Sequence, residues 1–101
     1  MSKILDQKKL EAILKKRENK KFIHCHGVFD LLHVGHIYYF EEAKKLGDIL
    51  IVTITEDKHV NKGEGRPFFS EKYRADSIAA LKFVDYVYIN RSHTAEKIIK
   101  K

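Results

Sequence analysis

The most informative part of the sequence is residues 22–36, which read FIHCHGVFDLLHVGH. The short apolar start of this segment stops at Gly27, which predicts a strand from Phe22 to His26 followed by a sharp turn. A helix is predicted from near His36 to Leu46, with Ile37, Phe40 and Ala43 facing the core and Gly47 ending it. A strand, a glycine-containing turn and a helix in this order are typical of parallel α/β sheets.

The flanking sequence continues the alternation of strands and helices. Leu10, Ile13 and Leu14 recur at helical spacing, which predicts an amphipathic helix over about residues 5–18. The other predicted elements are a buried strand at 49–55, a helix from Ser70 to about Leu81, a strand at 84–89 and a last helix opening near Thr94. This order predicts a parallel sheet with right-handed crossovers and helices on both faces.

A long polar segment, residues 56–69, separates the second predicted strand from the helix that Ser70 caps. It contains the chain's only proline and two closely spaced glycines, Gly63 and Gly65. Loops of this length in a compact domain are usually functional or mobile. We therefore predict a binding loop here.

Length and composition limit the classes of protein that the chain can belong to. With 101 residues, 44% of them hydrophobic, it has material for one globular domain, residues 1–101, with an amphipathic helix within residues 1–20. No apolar run approaches the roughly 18 residues of a membrane span, and no signal peptide is recognisable. With a single cysteine, Cys25, these features favour a reducing cytoplasmic setting.

The formal net charge of +6 favours an anionic partner, but it does not select one class of anion. The turn between the first strand and the second helix is more specific, because ligands of α/β sheets bind beyond the carboxyl ends of the strands. Unpaired backbone N–H groups at a helix start attract phosphate. His33 and His36 lie at that entrance and can donate to one phosphate chain, while Gly35 lets the backbone approach an anion.

These residues resemble the cytidylyltransferase-like nucleotidyltransferases, whose signature is His-x-Gly-His after a Gly-x-Phe-Asp turn. Here the two motifs are residues 33–36 and 27–30, and the likeness extends through residues 62–67, Arg74 and residues 83–87. Within that family the sequence looks most like the adenylyltransferase domain of bifunctional heptose kinase/adenylyltransferases, and next most like glycerol-3-phosphate cytidylyltransferases. The resemblance implies a Rossmann-like three-layer α/β fold with a parallel sheet.

The resemblance also implies an activity: a sugar phosphate or polyol phosphate attacks the α-phosphorus of CTP or ATP, and pyrophosphate leaves with the assistance of Mg²⁺. The implied catalytic residues are His33, His36 and Lys62. Residues implied to bind the acceptor phosphate or the triphosphate are Lys62, Arg66 and Arg74, and Asp30 is implied to order the turn or to assist the hydrated metal. The implied nucleotide-binding residues are Gly27, Val28, Phe29, Asp30, Gly35 and His36.

The sequence departs from the family pattern in two places. Relatives continue into a further strand and helix with a basic, Ser/Thr-containing nucleotide-binding motif, so we expect a chain that is truncated at its carboxyl end. His26 stands where relatives more often have Asn or Tyr, so contacts to the substrate are expected to differ locally. An exposed sheet edge left by the truncation makes a homodimer a reasonable expectation.

Other interpretations of the same residues are weaker. A His-x-x-His pair occurs in zinc sites, but tetrahedral zinc needs further ligands and Cys25 is the only thiol, so no resident metal is expected. The alternation along the strand turns Cys25 away from His24 and His26, which indicates a small buried residue rather than a nucleophile. Four aromatic residues are predicted to be packing residues: Tyr38, Tyr39, Phe68 and Phe69. For one of the last two, stacking on a base is the alternative.

Three functional hypotheses follow from the sequence. The first is a nucleotidyltransferase or the corresponding domain of a larger enzyme. The second is a catalytically inactive nucleotide-binding module, suggested by the absent carboxyl-terminal motif. The third is a nucleic-acid-binding domain, which rests only on the positive charge and lacks any helix-turn-helix, zinc-finger or aromatic RNA-binding motif, so nucleic acid is not expected as a partner.

Overall fold

A computed structural model of the chain describes residues 3–16, 18–60 and 69–90. These residues form four strands, three α-helices and a short 3-10 turn at Asp57–His59. The strands are β1 (Ile4–Leu5), β2 (Phe22–Gly27), β3 (Ile49–Thr55) and β4 (Tyr86–Asn90), and the α-helices are α1 (Gln7–Lys15), α2 (Val34–Lys44) and α3 (Glu71–Ala79). None of the helices in the described ranges is long and apolar enough to cross a bilayer.

All four strands are parallel and lie in the order β1-β4-β3-β2. The predicted Rossmann-like architecture is therefore confirmed, and the strand predicted at residues 49–55 has the predicted bounds. β1 was not predicted, because two residues are too few to show an alternating pattern; it pairs with β4, and the Val87 N–H donates to the Lys3 carbonyl at 2.9 Å. The helix predicted near Thr94 lies outside the described residues.

The helix boundaries differ from the expected ones by a few residues, and capping explains two of them. α2 begins at Val34 rather than near His36, since His33 caps it. α1 begins after Asp6, whose side chain accepts from the Lys9 N–H at 2.8 Å. Ser70 caps α3 as predicted, with its Oγ 3.4 Å from the Tyr73 nitrogen.

The two faces of the sheet are covered by different helices. On one face, the β3 residues Leu50, Val52 and Ile54 pack in a cluster that includes Phe40 of α2 and Ile78 of α3. On the other face, a second cluster joins Leu5, Leu10 of α1, Ile51 and Tyr88. The alternation of side chains along β3 thus sends successive residues into two separate cores.

Three of the four aromatic residues that were predicted to pack are largely at the surface. Tyr38 is 62% exposed, Tyr39 50% and Phe69 48%. Tyr39 still contacts the ring of buried Phe40, with 5.5 Å between centroids. The packing prediction is therefore wrong for Tyr38, because helix α2 buries a narrower face than its many aromatic residues suggest. It is also wrong for Phe69, which precedes α3 and is exposed there; Phe68 lies outside the described residues.

Asp85 links β3 and β4 near their amino ends. Its Oδ2 accepts from the buried Leu50 N–H at 2.7 Å and from Lys44 Nζ at 2.6 Å. Lys44 Nζ also donates to the Asp48 carbonyl at 2.6 Å. One carboxylate therefore joins β3, the end of α2 and the segment before β4.

Replacing Asp85 by Ala should lower the free energy of unfolding by about 1–3 kcal/mol, because it leaves the N–H of a fully buried residue without its acceptor. Chemical denaturation with circular dichroism would measure the change. Asp76→Ala is the matched control, since Asp76 is an exposed aspartate on α3. Equal losses for the two variants would show that the Asp85 carboxylate contributes nothing specific.

Candidate functional site

The turn between β2 and α2 ends in a reciprocal cap made by two histidines. Nδ1 of His33 accepts from the Gly35 N–H at 3.0 Å, and Nδ1 of His36 accepts from the His33 N–H at 3.2 Å. A nitrogen that accepts a hydrogen bond carries no proton, so each neutral imidazole keeps its proton on Nε2. The helix start thereby selects the same tautomer in both rings.

The two imidazoles stack, with 4.0 Å between their centroids and 27° between their planes. The rings of Phe29 and His36 make an edge-to-face contact, with 5.4 Å between their centroids and 87° between their planes. His33 and Gly35 are exposed and His36 is half-buried. Two stacked imidazoles thus stand at the amino terminus of an eleven-residue helix, where the dipole favours negative charge.

Two glycines make room for aromatic rings in this turn. A Cβ atom on Gly35 would lie 2.7 Å from Cε1 of His33, and one on Gly27 would lie 2.8 Å from Cζ of Phe29. Phe29 itself has a φ of 53°, a strained value for a residue with a side chain. Gly35 is expected to let the backbone approach an anion, and the structure shows in addition that a side chain there would displace the His33 ring.

Asp30 ties this turn to the segment before α3. It is buried, at 8% exposure, and its Oδ1 accepts from the Phe69 N–H at 2.9 Å. A cavity of about 180 Å³ lies between the two segments; its lining residues are Phe29, Asp30, Leu32, Phe69, Arg74 and Ser77. Asp30 therefore orders the turn, which is one of the two roles expected for it.

Arg74 occupies a different position from the one that a phosphate clamp suggests. The residue is 2% exposed, and its guanidinium donates to three oxygens of the protein. Nη1 donates to the Val28 carbonyl at 2.8 Å, Nε to the Phe69 carbonyl at 3.1 Å and Nη2 to Asp57 Oδ1 at 2.7 Å. The structure thus gives Arg74 a structural task that joins three segments, and its contact with phosphate stays a prediction.

Asp57 is a residue of this network that the sequence analysis missed. Its carboxylate pairs with Arg74, and its N–H donates to Oε1 of Glu71 at 3.0 Å. The sequence signal for it was weak, since an acidic residue after a strand is common at loop starts. Only the folded chain brings it to an arginine 17 positions away.

The expected site residues are therefore distributed as follows. The structure brings Gly27, Val28, Phe29, Asp30, His33, Gly35, His36 and Arg74 to the carboxyl end of β2 and its neighbours. Lys62 and Arg66 lie outside the described residues. Within the described ranges, no group of three or more His, Cys, Asp and Glu side chains could hold a metal ion, and the one Asp30 oxygen noted above already accepts from a backbone N–H.

Cys25 lies on the apolar face of β2, turned from His24 and His26 as expected. It is 4% exposed. Burial raises the pKa of its thiol, and this effect exceeds the opposing effect of a hydrogen bond with Tyr39. The same hydrogen bond, together with burial, raises the pKa of the Tyr39 phenol to about 12.

Replacing Arg74 by Lys should lower the free energy of unfolding by about 2–4 kcal/mol, because a single ammonium cannot serve three separate acceptors. Most of the loss should come from the two carbonyls, since the Asp57 carboxylate is partly exposed. Urea denaturation would measure it, with Lys72→Arg as the control on the exposed surface of the same helix. A variant as stable as the control would contradict the structural task.

The Cys25 thiol should react with a disulfide reagent at pH 8 on the order of tenfold more slowly in the folded chain than in denaturant. Because the folded thiol holds its proton more tightly, its contribution to stability is present at neutral pH and is lost as the pH rises past the ordinary thiol range. Absorbance of the released reagent would follow the reaction. Equal rates in both states would refute the assigned burial.

Comparisons with known proteins agree with this geometry. A family model described as cytidylyltransferase-like matches residues 24–101. The bifunctional protein HldE of Helicobacter pylori is 45% identical over 93 residues, and that of Campylobacter jejuni is 46% identical over 89 residues. These alignments cover 90% and 86% of this chain but 20% and 19% of the relatives, so the chain spans about a fifth of their length.

A solved structure gives the same result in three dimensions. The lipopolysaccharide core biosynthesis protein from Thermoplasma volcanium superposes with a TM-score of 0.71 at 35% sequence identity, over 81% of this chain and 68% of that one. The family model, in turn, includes the whole turn that carries His33 and His36. The chain therefore belongs to the cytidylyltransferase-like family of nucleotidyltransferases.

Proposed function

We propose that this protein transfers CMP or AMP from CTP or ATP to a phosphorylated sugar or polyol and releases pyrophosphate. The observation that carries the proposal is the reciprocal cap of α2, in which both Nδ1 atoms accept from backbone N–H groups. The neutral rings then carry their protons on Nε2, at the place where a helix start attracts phosphate. Family membership supports the same reaction class.

In this proposal His33 and His36 bind the triphosphate and stabilise the charge that develops on the leaving pyrophosphate. Their rings are 4.0 Å apart, so the two donors can serve oxygens of one phosphate chain. The cap holds the rings before the nucleotide arrives, so little free energy is spent on ordering them during the reaction. Single preorganised donors of this kind contribute about 3–4 kcal/mol to a transition state.

The transfer itself needs no covalent intermediate on the protein. An anionic oxygen of the acceptor phosphate forms a bond to the α-phosphorus, while the bond from that phosphorus to the bridging oxygen breaks and pyrophosphate leaves with its electron pair. No proton has to be removed from the attacking oxygen. The work of the site is therefore to position two anions in line and to offset their repulsion.

The cationic residues divide between two tasks in the proposal. Lys62 neutralises phosphate charge and Arg66 assists it, as the family resemblance implies. Arg74 already uses three donors on protein oxygens, out of the five that a guanidinium has. Its contribution to the acceptor phosphate is thus mainly to hold the turn at Val28 against the loop at Asp57.

Mg²⁺ is proposed to enter with the triphosphate, where it would screen the phosphate charges. The donor set of the described residues fits this arrangement rather than a resident metal site, since Asp30 is buried and accepts from the Phe69 N–H. Magnesium commonly keeps several waters and is held largely by substrate phosphates. No step of the proposal depends on a protein ligand to the ion.

The names of the relatives support a role in carbohydrate biosynthesis. The matched solved structure is called a lipopolysaccharide core biosynthesis protein, which favours a sugar phosphate among the two classes of acceptor. The choice between CTP and ATP is left to experiment, because the residues that this proposal assigns all act on phosphate groups.

His36→Ala should remove detectable binding of the preferred nucleotide, since it deletes one donor and one half of the helix cap. Isothermal titration with CTP and with ATP in magnesium would measure the affinity, and a pyrophosphate assay with a panel of sugar and polyol phosphates would measure transfer. Lys45→Ala, on the exposed surface past the end of α2, should behave as the unchanged chain.

The two measurements separate the hypotheses. Nucleotide binding without pyrophosphate release would favour the inactive nucleotide-binding module. A folded chain that binds neither nucleotide and releases no pyrophosphate would refute the proposal.

A further inference from the structure

Phe29 has a left-handed backbone in the turn between β2 and α2. Its φ is 53°, in a region that residues with a side chain rarely adopt because the Cβ atom comes too close to the backbone. Strain of this kind persists only where the surrounding contacts over-determine the conformation, and it is concentrated at functional sites. The contacts of Phe29 therefore indicate whether its strain serves the site.

The residues on both sides of Phe29 are hydrogen-bonded to α3 and to the segment before it. The Val28 carbonyl accepts from Nη1 of Arg74 at 2.8 Å, and Oδ1 of Asp30 accepts from the Phe69 N–H at 2.9 Å. Arg74 and Asp30 are 2% and 8% exposed, so water competes little for these hydrogen bonds. The backbone of Phe29 is thus held from both sides, and a change of its φ would displace a hydrogen-bonded neighbour.

The ring of Phe29 lies against three neighbours in the folded chain. A Cβ atom at Gly27 would lie 2.8 Å from its Cζ, so the ring occupies space that only glycine leaves. Its centroid is 5.2 Å from that of Phe40 and 5.4 Å from that of His36, both in edge-to-face geometry, which is favourable for aromatic pairs. Because Phe40 is fully buried in the core, the Phe29 ring connects His36 to the core.

This connection determines the plane of the His36 imidazole. The hydrogen bond from the His33 N–H to Nδ1 of His36, at 3.2 Å, fixes one atom of the ring but leaves rotation of the plane about that atom. The stacked ring of His33 is exposed and is itself held only at the helix cap. Phe29 is half-buried and is joined to the core, so it is the firmer of the two aromatic neighbours.

We propose that Phe29 is a positioning residue for His36: its side chain, held by the left-handed backbone, fixes the plane of the imidazole and so the direction in which Nε2 points. The inference rests on the proposed transferase function, in which His36 binds the triphosphate and stabilises the leaving pyrophosphate. It gives the Phe29 ring a task that is separate from the nucleotide contact implied by the resemblance.

NMR of the unchanged full chain tests the geometry first. Nuclear Overhauser effects should connect the ring protons of Phe29 with those of His36. At about pH 8, where free histidine is neutral, the ring nitrogen shifts of His36 should show a single tautomer with its proton on Nε2. Absence of the Phe29 to His36 effects, or a mixture of tautomers, would overturn the proposal without any variant.

Two variants disturb the Phe29 ring in different ways. Phe29→Leu removes the ring, and Gly27→Ala keeps it but displaces it, because the added Cβ takes its space. Both should mix the His36 tautomers and raise the dissociation constant of inorganic pyrophosphate, measured in magnesium, about tenfold, since a binding group must be held closely in its productive geometry. Gly27→Ala serves as the test if Phe29→Leu does not fold.

Phe22→Leu is the matched control. Phe22 is half-buried like Phe29 but lies at the amino end of β2, so the same substitution there costs packing without touching His36. Its His36 signals and its pyrophosphate affinity should be those of the unchanged chain. Equal changes in Phe22→Leu and Phe29→Leu would show a general loss of packing and would overturn the proposal.

Kinetics separate positioning from binding of the acceptor. In the pyrophosphate release assay, Phe29→Leu should lower kcat about tenfold and leave the KM of the acceptor unchanged, because His36 acts on the leaving group. A folded Phe29→Leu chain with the kcat and the His36 signals of the unchanged chain would refute the positioning role.

The outcome for Phe29 and the outcome for the transferase are distinguishable. A folded chain that binds no nucleotide and releases no pyrophosphate refutes the transfer reaction, and the positioning role is then decided by the His36 signals in Phe29→Leu and Phe22→Leu. If pyrophosphate is released equally by the unchanged chain and by Phe29→Leu, the transfer reaction stands and the positioning role is refuted.

Discussion

The buried guanidinium of Arg74 is the interaction on which the carboxyl end of the sheet depends. The β2 to α2 turn belongs to one crossover, whereas the segment after β3 and the segment before α3 are the two ends of the connection between β3 and α3, and the ladders of the sheet end before all of them. Arg74 joins them through Val28, Asp57 and Phe69. A buried cation must have its donors satisfied. Arg74 and the three segments therefore stabilise one another.

The turn between β2 and α2 that carries His33 and His36, the histidine turn, is by contrast built by short-range contacts. His33 and His36 exchange hydrogen bonds with the first turn of α2, and Gly35 leaves the space that the His33 ring fills. The cap that begins the helix is the same set of bonds that orients the candidate catalytic rings. Stability of the helix start and orientation of the site are therefore not separable at these residues.

The sheet has two faces with different chemistry at its carboxyl end. The face under α2 and α3 is apolar along its length, and it includes Cys25, Val52 and Ile54. The opposite face is apolar only where Leu10 of α1 covers it, and it becomes polar from Thr53 onward. Because side chains alternate along each strand, a single sequence such as His24-Cys25-His26 serves both an apolar core and a polar surface.

The fold class and the histidine turn were both accessible from the sequence, because both rest on local patterns. Strand and helix periodicity predicted β2, α2, β3, α3 and β4, and the spacing of His33 and His36 on either side of Gly35 indicated a phosphate site. The helix and strand ends were less accurate, since caps such as His33 depend on atomic geometry. β1 could not be predicted, because a strand of two residues is recognised only from its pairing with β4.

Tertiary structure alone decided what the long-range partners do. Nothing in the sequence joins Arg74 to Val28, 46 positions away, or His24 to Thr53, 29 positions away, because such contacts follow from strand order and register rather than from spacing along the chain. For the same reason an arginine that the motif assigned to phosphate proved to be buried, and aromatic residues that were expected to pack proved to be exposed. The local sequence pattern indicates which side chains are present, and the strand order and packing of the sheet determine which of them come into contact.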